Sequence, residues 1–236
     1  KTREIWVGTG EVNSSRSTYA GLGVYKSSDN GKTWTWLGLA DSHHIGEIKL
    51  HATDPNTAWV AVLGHLYSPN KERGIYKTTD GGKSWKQTLY VDENTGAVDL
   101  DINPSNSNEL YAGMWYRTRK AWNFEESGKS GGIFKSTDGG ETWQKISVEG
   151  AGFPTGDGVG RIGLAIYPKN PSIVYAVVDN NEKRATRSAT TSTDTSAYNL
   201  DLFKGITKEQ FAALENKKLN AFLRSPRNRV PAEYTA

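Results

Sequence analysis

Three aspartates recur in one setting. Asp29, Asp80 and Asp138 each sit in the pattern Ser/Thr-x-Asp-x-Gly-x-Thr/Ser-Trp, and they lie 51 and then 58 residues apart. A repeated carboxylate could ligate a metal or serve acid–base chemistry. The neighbours point to a turn instead: the Asp carboxylate and the first hydroxyl accept backbone N–H bonds across a tight hairpin. Other residues carry chemistry too. Trp115, Tyr116, Arg117, Arg119 and Trp122 crowd the stretch 114–131, where aromatic faces could stack on sugars or peptide side chains and arginine could clamp a carboxylate. The opposing reading has the tryptophans covering a neighbouring blade and the arginines solvated. His43-His44 could bind metal or shuttle protons. No His/Asp/Glu pattern with metal-ligand spacing accompanies them, so a hydrogen-bonding role is expected and no metal or other cofactor.

The elements that hold these residues come from two interleaved repeats. Gly23–Trp34, Gly74–Trp85 and Gly132–Trp143 align without gaps as GVYKSSDNGKTW, GIYKTTDGGKSW and GIFKSTDGGETW. In each box a hydroxyl (Ser27, Thr78, Ser136) precedes the Asp, and a glycine (Gly31, Gly82, Gly140) supplies φ > 0. A tryptophan (Trp34, Trp85, Trp143) opens the next strand and offers apolar surface. The second repeat, GEIKL, GAVDL and GRIGL, begins at Gly46, Gly96 and Gly160. A Pro/Asn turn and a β-branched, aromatic run follow each copy. Proline fixes φ and removes a donor, so it turns the chain between strands. The predicted order is strand one at the glycine, strand two after the turn, strand three at GVYK, then the box and strand four. That is one four-stranded blade per repeat.

The boxes resemble the Asp-box, or BNR, repeats of sialidases and other exported propellers. HHIGEIKL, DENTGAVDLDINPSNSNELYAGMW and GRIGLAIYPKNPSIVYAVV more narrowly resemble the sortilin/VPS10-type propellers of large bacterial exported proteins. The resemblance covers about residues 5–178. It implies an all-β fold, a β-propeller fragment of about three four-stranded Asp-box blades, with a secreted, periplasmic or cell-surface location. Function is then expected on the face opposite the boxes, where the longer loops fall. A non-catalytic module binding protein, peptide or glycan uses Trp115, Tyr116, Arg117, Arg119, Trp122, His43, His44 and Arg161 there. The alternative is a glycoside hydrolase with a carboxylate pair drawn from Glu11, Glu47, Asp92, Glu93 and Asp157. Such pairs stand about 5–5.5 Å apart for retention or about 6.5–9.5 Å for inversion. A sialidase-like FRIP segment and a recognisable arginine triad are both missing. A structural role in a larger assembly is the third reading.

Blades are expected over 1–180, an incomplete ring that the rest of the polypeptide or other chains complete. Ile5-Trp6-Val7-Gly8 matches a second strand without its first, and no box follows Val178. A loop or linker is expected over 181–206 and an extended segment over 225–236. Between them, over 207–224, Thr207 and Gln210 form a capping box ahead of Phe211, Leu214, Leu219, Phe222 and Leu223 at helical spacing. This helical insertion either packs on the blades or docks a partner. The chain begins at Lys1 without a signal peptide, as expected of a processed or excised piece.

Composition narrows the classes. The net charge is +3, with 19 basic and 20 acidic groups before residue 181, so the blades carry no electrostatic footprint for nucleic acid. No apolar run nears the roughly 20 residues of a membrane span. Cysteine is absent, which excludes disulfides and thiolate-bound metal.

Overall fold

The Pro/Asn turns and Asp boxes cut the chain into short antiparallel strands. A computed structural model describes residues 4–15, 17–182, 198, 202–203 and 205–224. Arg16, most of the expected 181–206 linker and all of the 225–236 segment lie outside the described residues. The chain divides into two units, Lys1–Glu182 and Lys183–Ala236.

In the first unit β1 (Ile5–Gly8), β2 (Val24–Ser27) and β3 (Thr35–Trp36) form a three-stranded sheet in that order. The next sheet is a full blade of β4 (Ile45–Leu50), β5 (Ala58–Val62), β6 (Gly74–Thr78) and β7 (Lys86–Leu89). The third begins with β8 (Thr95–Ile102) and β9 (Leu110–Tyr116). A separate hairpin of β10 (Thr118–Arg119) and β11 (Phe124–Glu125) interrupts it before β12 (Gly132–Ser136) and β13 (Gln144–Lys145). A two-stranded sheet, β14 (Val159–Ile166) and β15 (Val174–Asn180), follows. The blade order is therefore as the repeats predict, with each fourth strand starting one residue after its tryptophan. Among the described residues β1 and β15 each pair on one edge only, and Tyr175 and Val177 on β15 stand 61% and 76% exposed.

The three boxes share one hydrogen-bond pattern. The first hydroxyl donates to the Asp carboxylate at 2.8 Å in every copy and accepts from the glycine N–H at 2.7, 2.9 and 2.8 Å. The same carboxylate accepts the backbone N–H and the hydroxyl of Thr33, Ser84 or Thr142. Gly31, Gly82 and Gly140 hold φ of 85°, 88° and 79°, which side-chain-bearing residues resist. Both oxygens of each carboxylate thus serve their own turn.

These bonds favour the ionised carboxylate. They hold Asp80 at a pKa of about 2, the Ser84 hydroxyl contributing most, against 3.8 ordinarily. Between these two values the unfolded chain binds the extra proton, so the stabilisation is complete above about pH 4 and is lost as pH falls towards 2. Urea midpoints measured from pH 6 to 2 should fall steeply in this window. Asp80→Asn should start lower at pH 6 and show a shallower fall.

Strand one forms one edge of its sheet in β4, β8 and β14, and these successive copies lie side by side. A Cβ on Gly46 would meet the Val98 carbonyl oxygen at 2.4 Å, which explains the glycine opening the repeat. Asp99 and Asp101 accept the backbone N–H groups of Leu164 and Ile166 at 2.7 Å, tying β8 to β14. Apolar clusters fill the seams between blades, the largest around Trp59, Ile75, Leu100, Leu110, Met114 and Phe134.

Box tryptophans close the outer seams. Trp85 donates to the Leu37 carbonyl at 2.7 Å, and Trp143 donates to the Thr88 hydroxyl at 3.2 Å. Leu37 and Thr88 each stand three residues after the preceding blade's own box tryptophan. The same position on the third blade is Ile146. Together with Tyr111, Phe153 and Val174 it lines an apolar cavity of about 240 Å³. Trp34, on the first blade, is 44% exposed.

The second unit corrects the single helix expected over 207–224. Two helices form, α1 (Lys208–Ala212) and α2 (Asn216–Leu223). The capping box is present: Thr207 Oγ1 accepts the Gln210 N–H at 3.2 Å and the Gln210 side chain accepts the Thr207 N–H at 2.9 Å. The break comes at Glu215, whose φ and ψ of −68° and 114° are extended, so it caps a new helix instead of continuing the first. Its N–H is satisfied by the Tyr198 hydroxyl at 2.8 Å. Phe203 packs against Phe211 and Phe222, with ring centroids 6.3 and 4.9 Å apart, so part of the apolar stripe is covered within its own unit.

Candidate functional site

The loops opposite the boxes divide into a closed inner cluster and an open outer cleft. Trp115, at the end of β9, and Arg117 just beyond it belong to the inner cluster, and both are buried. Arg117 donates to Ser14 Oγ and, at 3.2 Å, to the Gly64 carbonyl. Both Arg117 and Arg161 place a guanidinium 5.6 Å from the Trp115 ring, and Arg161 also donates to the Val12 carbonyl at 3.3 Å. Burial, with Arg73 and Arg161 adding repulsion, lowers the Arg117 pKa to about 9. Arg117 Nε has no partner among the described residues.

His44 is equally covered. Burial, then the charge of Arg117, pushes its pKa down to about 4, so it stays neutral through physiological pH. Trp115, Arg117 and His44 therefore knit loops together, and a ligand arriving from solvent meets other groups.

Those groups line a cleft of about 250 Å³ between the 64–74 loop and the inserted hairpin. Tyr67, Pro69, Tyr116, Thr118, Arg119 and Glu125 form its walls. Two buttresses hold the shape. On one side Arg73, fully buried, donates to the Asn70 side chain and to the carbonyls of His65 and Asn94 at 2.6–3.1 Å, fixing the loop from below. On the other, Tyr116 and Thr118 hydroxyls donate to Glu125 Oε2 at 3.2 and 3.1 Å, and Arg119 lies 4.6 Å over the Phe124 ring. The hairpin turns through Lys120–Asn123, with backbone bonds of 2.7 and 3.4 Å closing it. At its tip Trp122 is 83% exposed. An exposed indole on a hydrogen-bonded turn is costly to leave bare and well suited to stacking.

The proposed carboxylates do not gather in this cleft. Glu11 accepts the Tyr19 N–H at 3.3 Å and Asp92 the Asn94 N–H at 2.8 Å. Glu93 and Asp157 are exposed on separate loops. Glu47 pairs with Lys49 at 3.5 Å and lines a second cavity with Trp6, Gly8 and Ile45. The cleft's single carboxylate is Glu125, already accepting hydroxyl donors. Sequence reasoning missed Glu125 and Arg73. Glu125 carries no signal, because its two-residue strand is too short for a periodic pattern. Arg73 carries none, because its acceptors are mostly backbone carbonyls.

His43 stacks on His65, ring centroids 3.7 Å apart, and meets His44 edge-on at 6.2 Å.

The Sortilin-Vps10 family profile, described as sortilin, neurotensin receptor 3, matches residues 23–225. The chain belongs to this family. A vacuolar protein sorting/targeting protein 10 from Kluyveromyces lactis is 31% identical over 80 residues, 34% of this chain and 5% of that protein. A xyloglucanase from Paenibacillus sp. is 32% identical over 165 residues, 66% of this chain and 13% of that enzyme. Among solved structures, an ancestral GH74 enzyme superposes with a TM-score of 0.51 at 22% identity over 73% of this chain and 21% of its own. The Niastella koreensis GH74 enzyme gives 0.50 at 23%, over 75% and 26%. These structures show the fold. This Sortilin-Vps10 member spans about a quarter or less of each of these relatives, and among its described residues no helix is long and apolar enough to cross a membrane.

Proposed function

We propose that this chain is a non-catalytic, extracytoplasmic propeller module that recognises glycan, peptide or protein through its loop-rich face. The hairpin cleft is the contact surface in this reading. One observation carries it: an indole 83% exposed at the tip of a hairpin inserted in the third sheet, beside a cleft walled by tyrosines and Arg119. Aromatic faces stack on sugar rings and apolar side chains, and arginine supplies orientation. The xyloglucanase relative makes a glycan the first ligand to try, and the family's sorting receptors make an extended peptide the next.

Calorimetric titration with xyloglucan oligosaccharides should give saturable binding. Trp122→Ala should weaken it about tenfold or more, as loss of an anchoring aromatic does. An exposed turn residue contributes little to folding, so the melting temperature should hold. Equal affinity in Trp122→Ala would remove the cleft from the account.

The Paenibacillus enzyme favours one second reading, a glycoside hydrolase. Hydrolysis needs two carboxylates about the scissile bond, and the cleft lining supplies Glu125 alone. Release of reducing ends from xyloglucan by this chain would favour it. In either reading the Ile146 cavity receives the box tryptophan of a following blade, supplied by the same polypeptide or by another chain.

A further inference from the structure

We propose that Asp41, His43 and His65 form a binding site for a divalent transition-metal cation of the zinc class, clamping two loops beside the hairpin cleft. The three side chains come from two segments: Asp41 and His43 from the turn between β3 and β4, and His65 from the loop after β5. One donor atom from each lies within 4.8 Å of the others. Zinc holds nitrogen and carboxylate oxygen at about 2.0–2.2 Å, which sets donors about 3.4 Å apart in a tetrahedron. Asp41 is exposed and both histidines are half-buried, so their side chains have room to turn inward on an ion.

The two rings are held in place but stacked, so they must turn out of the stack for their nitrogens to converge on one ion. His65 Nδ1 lies 3.1 Å from the Ser68 hydroxyl, which fixes the ring and leaves Nε2 as the free donor. That Nε2 is covered and has no hydrogen-bond partner among the described residues. Buried polar atoms normally find a partner, so one without asks for a ligand. His43 is held by its backbone: the His44 N–H reaches back to the Ser42 carbonyl at 2.5 Å, and the Gly21 N–H donates to the His43 carbonyl at 2.6 Å. Its ring lies stacked on His65 with an interplanar angle of 19°.

Charge and donor type select the ion. Asp41 supplies one negative charge, and Glu72 acts on His43 with the same sign, offsetting Arg73, which donates to the His65 carbonyl. Two imidazoles and one carboxylate suit zinc, cobalt, nickel or copper. They do not suit calcium or magnesium, which want oxygen. Three protein ligands leave a position for water. Because Leu66–Pro69 line the hairpin cleft, an ion on His65 would steady one wall of it. The site stands whether or not that cleft binds sugar.

Cobalt(II) titration of the whole chain tests this, read by visible ligand-field absorption and by calorimetry, with zinc as competitor. The expected result is one ion per chain, displaced by zinc, with a rise in melting temperature. His65→Ala and His43→Ala should lose the absorption band, and Asp41→Asn, an exposed change, should weaken binding without altering the apo protein's melting. His51→Ala removes the chain's histidine on the Pro/Asn-turn face and should leave binding intact. The proposal is overturned if the unmodified chain binds no cobalt or zinc. It is equally overturned if the band survives in both histidine variants or is lost in His51→Ala.

Discussion

Trp59→Ala should lower the stability of the blades by about 3–5 kcal/mol, the cost typical of emptying a large buried aromatic site. Trp59 sits on the second strand of its blade and is 1% exposed. Its Nε1 donates to the Gly139 carbonyl at 2.9 Å, in the box of the next blade. His51 stacks on it at 6.0 Å and Lys77 stands 5.8 Å from its ring. Truncation therefore opens a cavity, orphans a buried carbonyl and loosens one blade from the next at once. Thermal melting of the variant should fall by roughly 10 °C for a chain of this size. Trp59→Phe, which keeps the ring and loses the hydrogen bond, should fall between. A loss of less than about 1 kcal/mol would mean that the seam is not held where the structure places it.

Arg117 should behave in the opposite sense to its appearance in the sequence. It is 0% exposed, among the described residues no carboxylate meets its guanidinium, and its hydrogen bonds go to Ser14 Oγ and the Gly64 carbonyl. Arg117→Ala removes volume and both bonds, and should cost about 2–4 kcal/mol. Arg117→Met keeps the volume and removes a charge that burial disfavours, so it should cost less than about half as much. Urea unfolding of the pair decides. A methionine variant as unstable as the alanine one would show that the guanidinium's bonds outweigh its desolvation.

The contrast between these two residues shows where sequence reading succeeds. Every partner within an Asp box lies within four residues, so the pattern Ser136, Asp138, Gly140 and Thr142 contains its own geometry. Strand one is legible for a related reason, since Gly46 must let Val98 approach and leaves a fixed glycine behind. The Thr207–Gln210 cap is local too, whereas the break at Glu215 depends on a Tyr198 hydroxyl seventeen residues away.

The candidate site lacks such locality. Arg117 finds Ser14 across 103 residues and Gly64 across 53, and nothing in the stretch 114–131 distinguishes it from Arg119, which faces the cleft. His43 and His65 show no ligand spacing because they stand 22 residues apart, on the turn before β4 and the loop after β5, and meet only when those strands pair. Trp122 could be read as a candidate, but its exposure follows from the β10–β11 hairpin, whose two-residue strands are too short to carry a periodic signal. Carboxylates show the converse. Five were plausible by position, and the one that lines the cleft, Glu125, was hidden in the shortest strand pair.

The chain has eight tryptophans, and their indole N–H signals in a proton–nitrogen NMR spectrum report on every seam and on the cleft separately. Trp122→Phe assigns its own signal by disappearance. On adding xyloglucan oligosaccharides, the Trp122 signal should move in a saturable way while those of buried Trp59 and Trp115 stay in place. A Trp122 signal that stays fixed while that of Trp34, exposed in its Asp box, responds would contradict recognition at the hairpin cleft and move the binding surface to the opposite side of the blades.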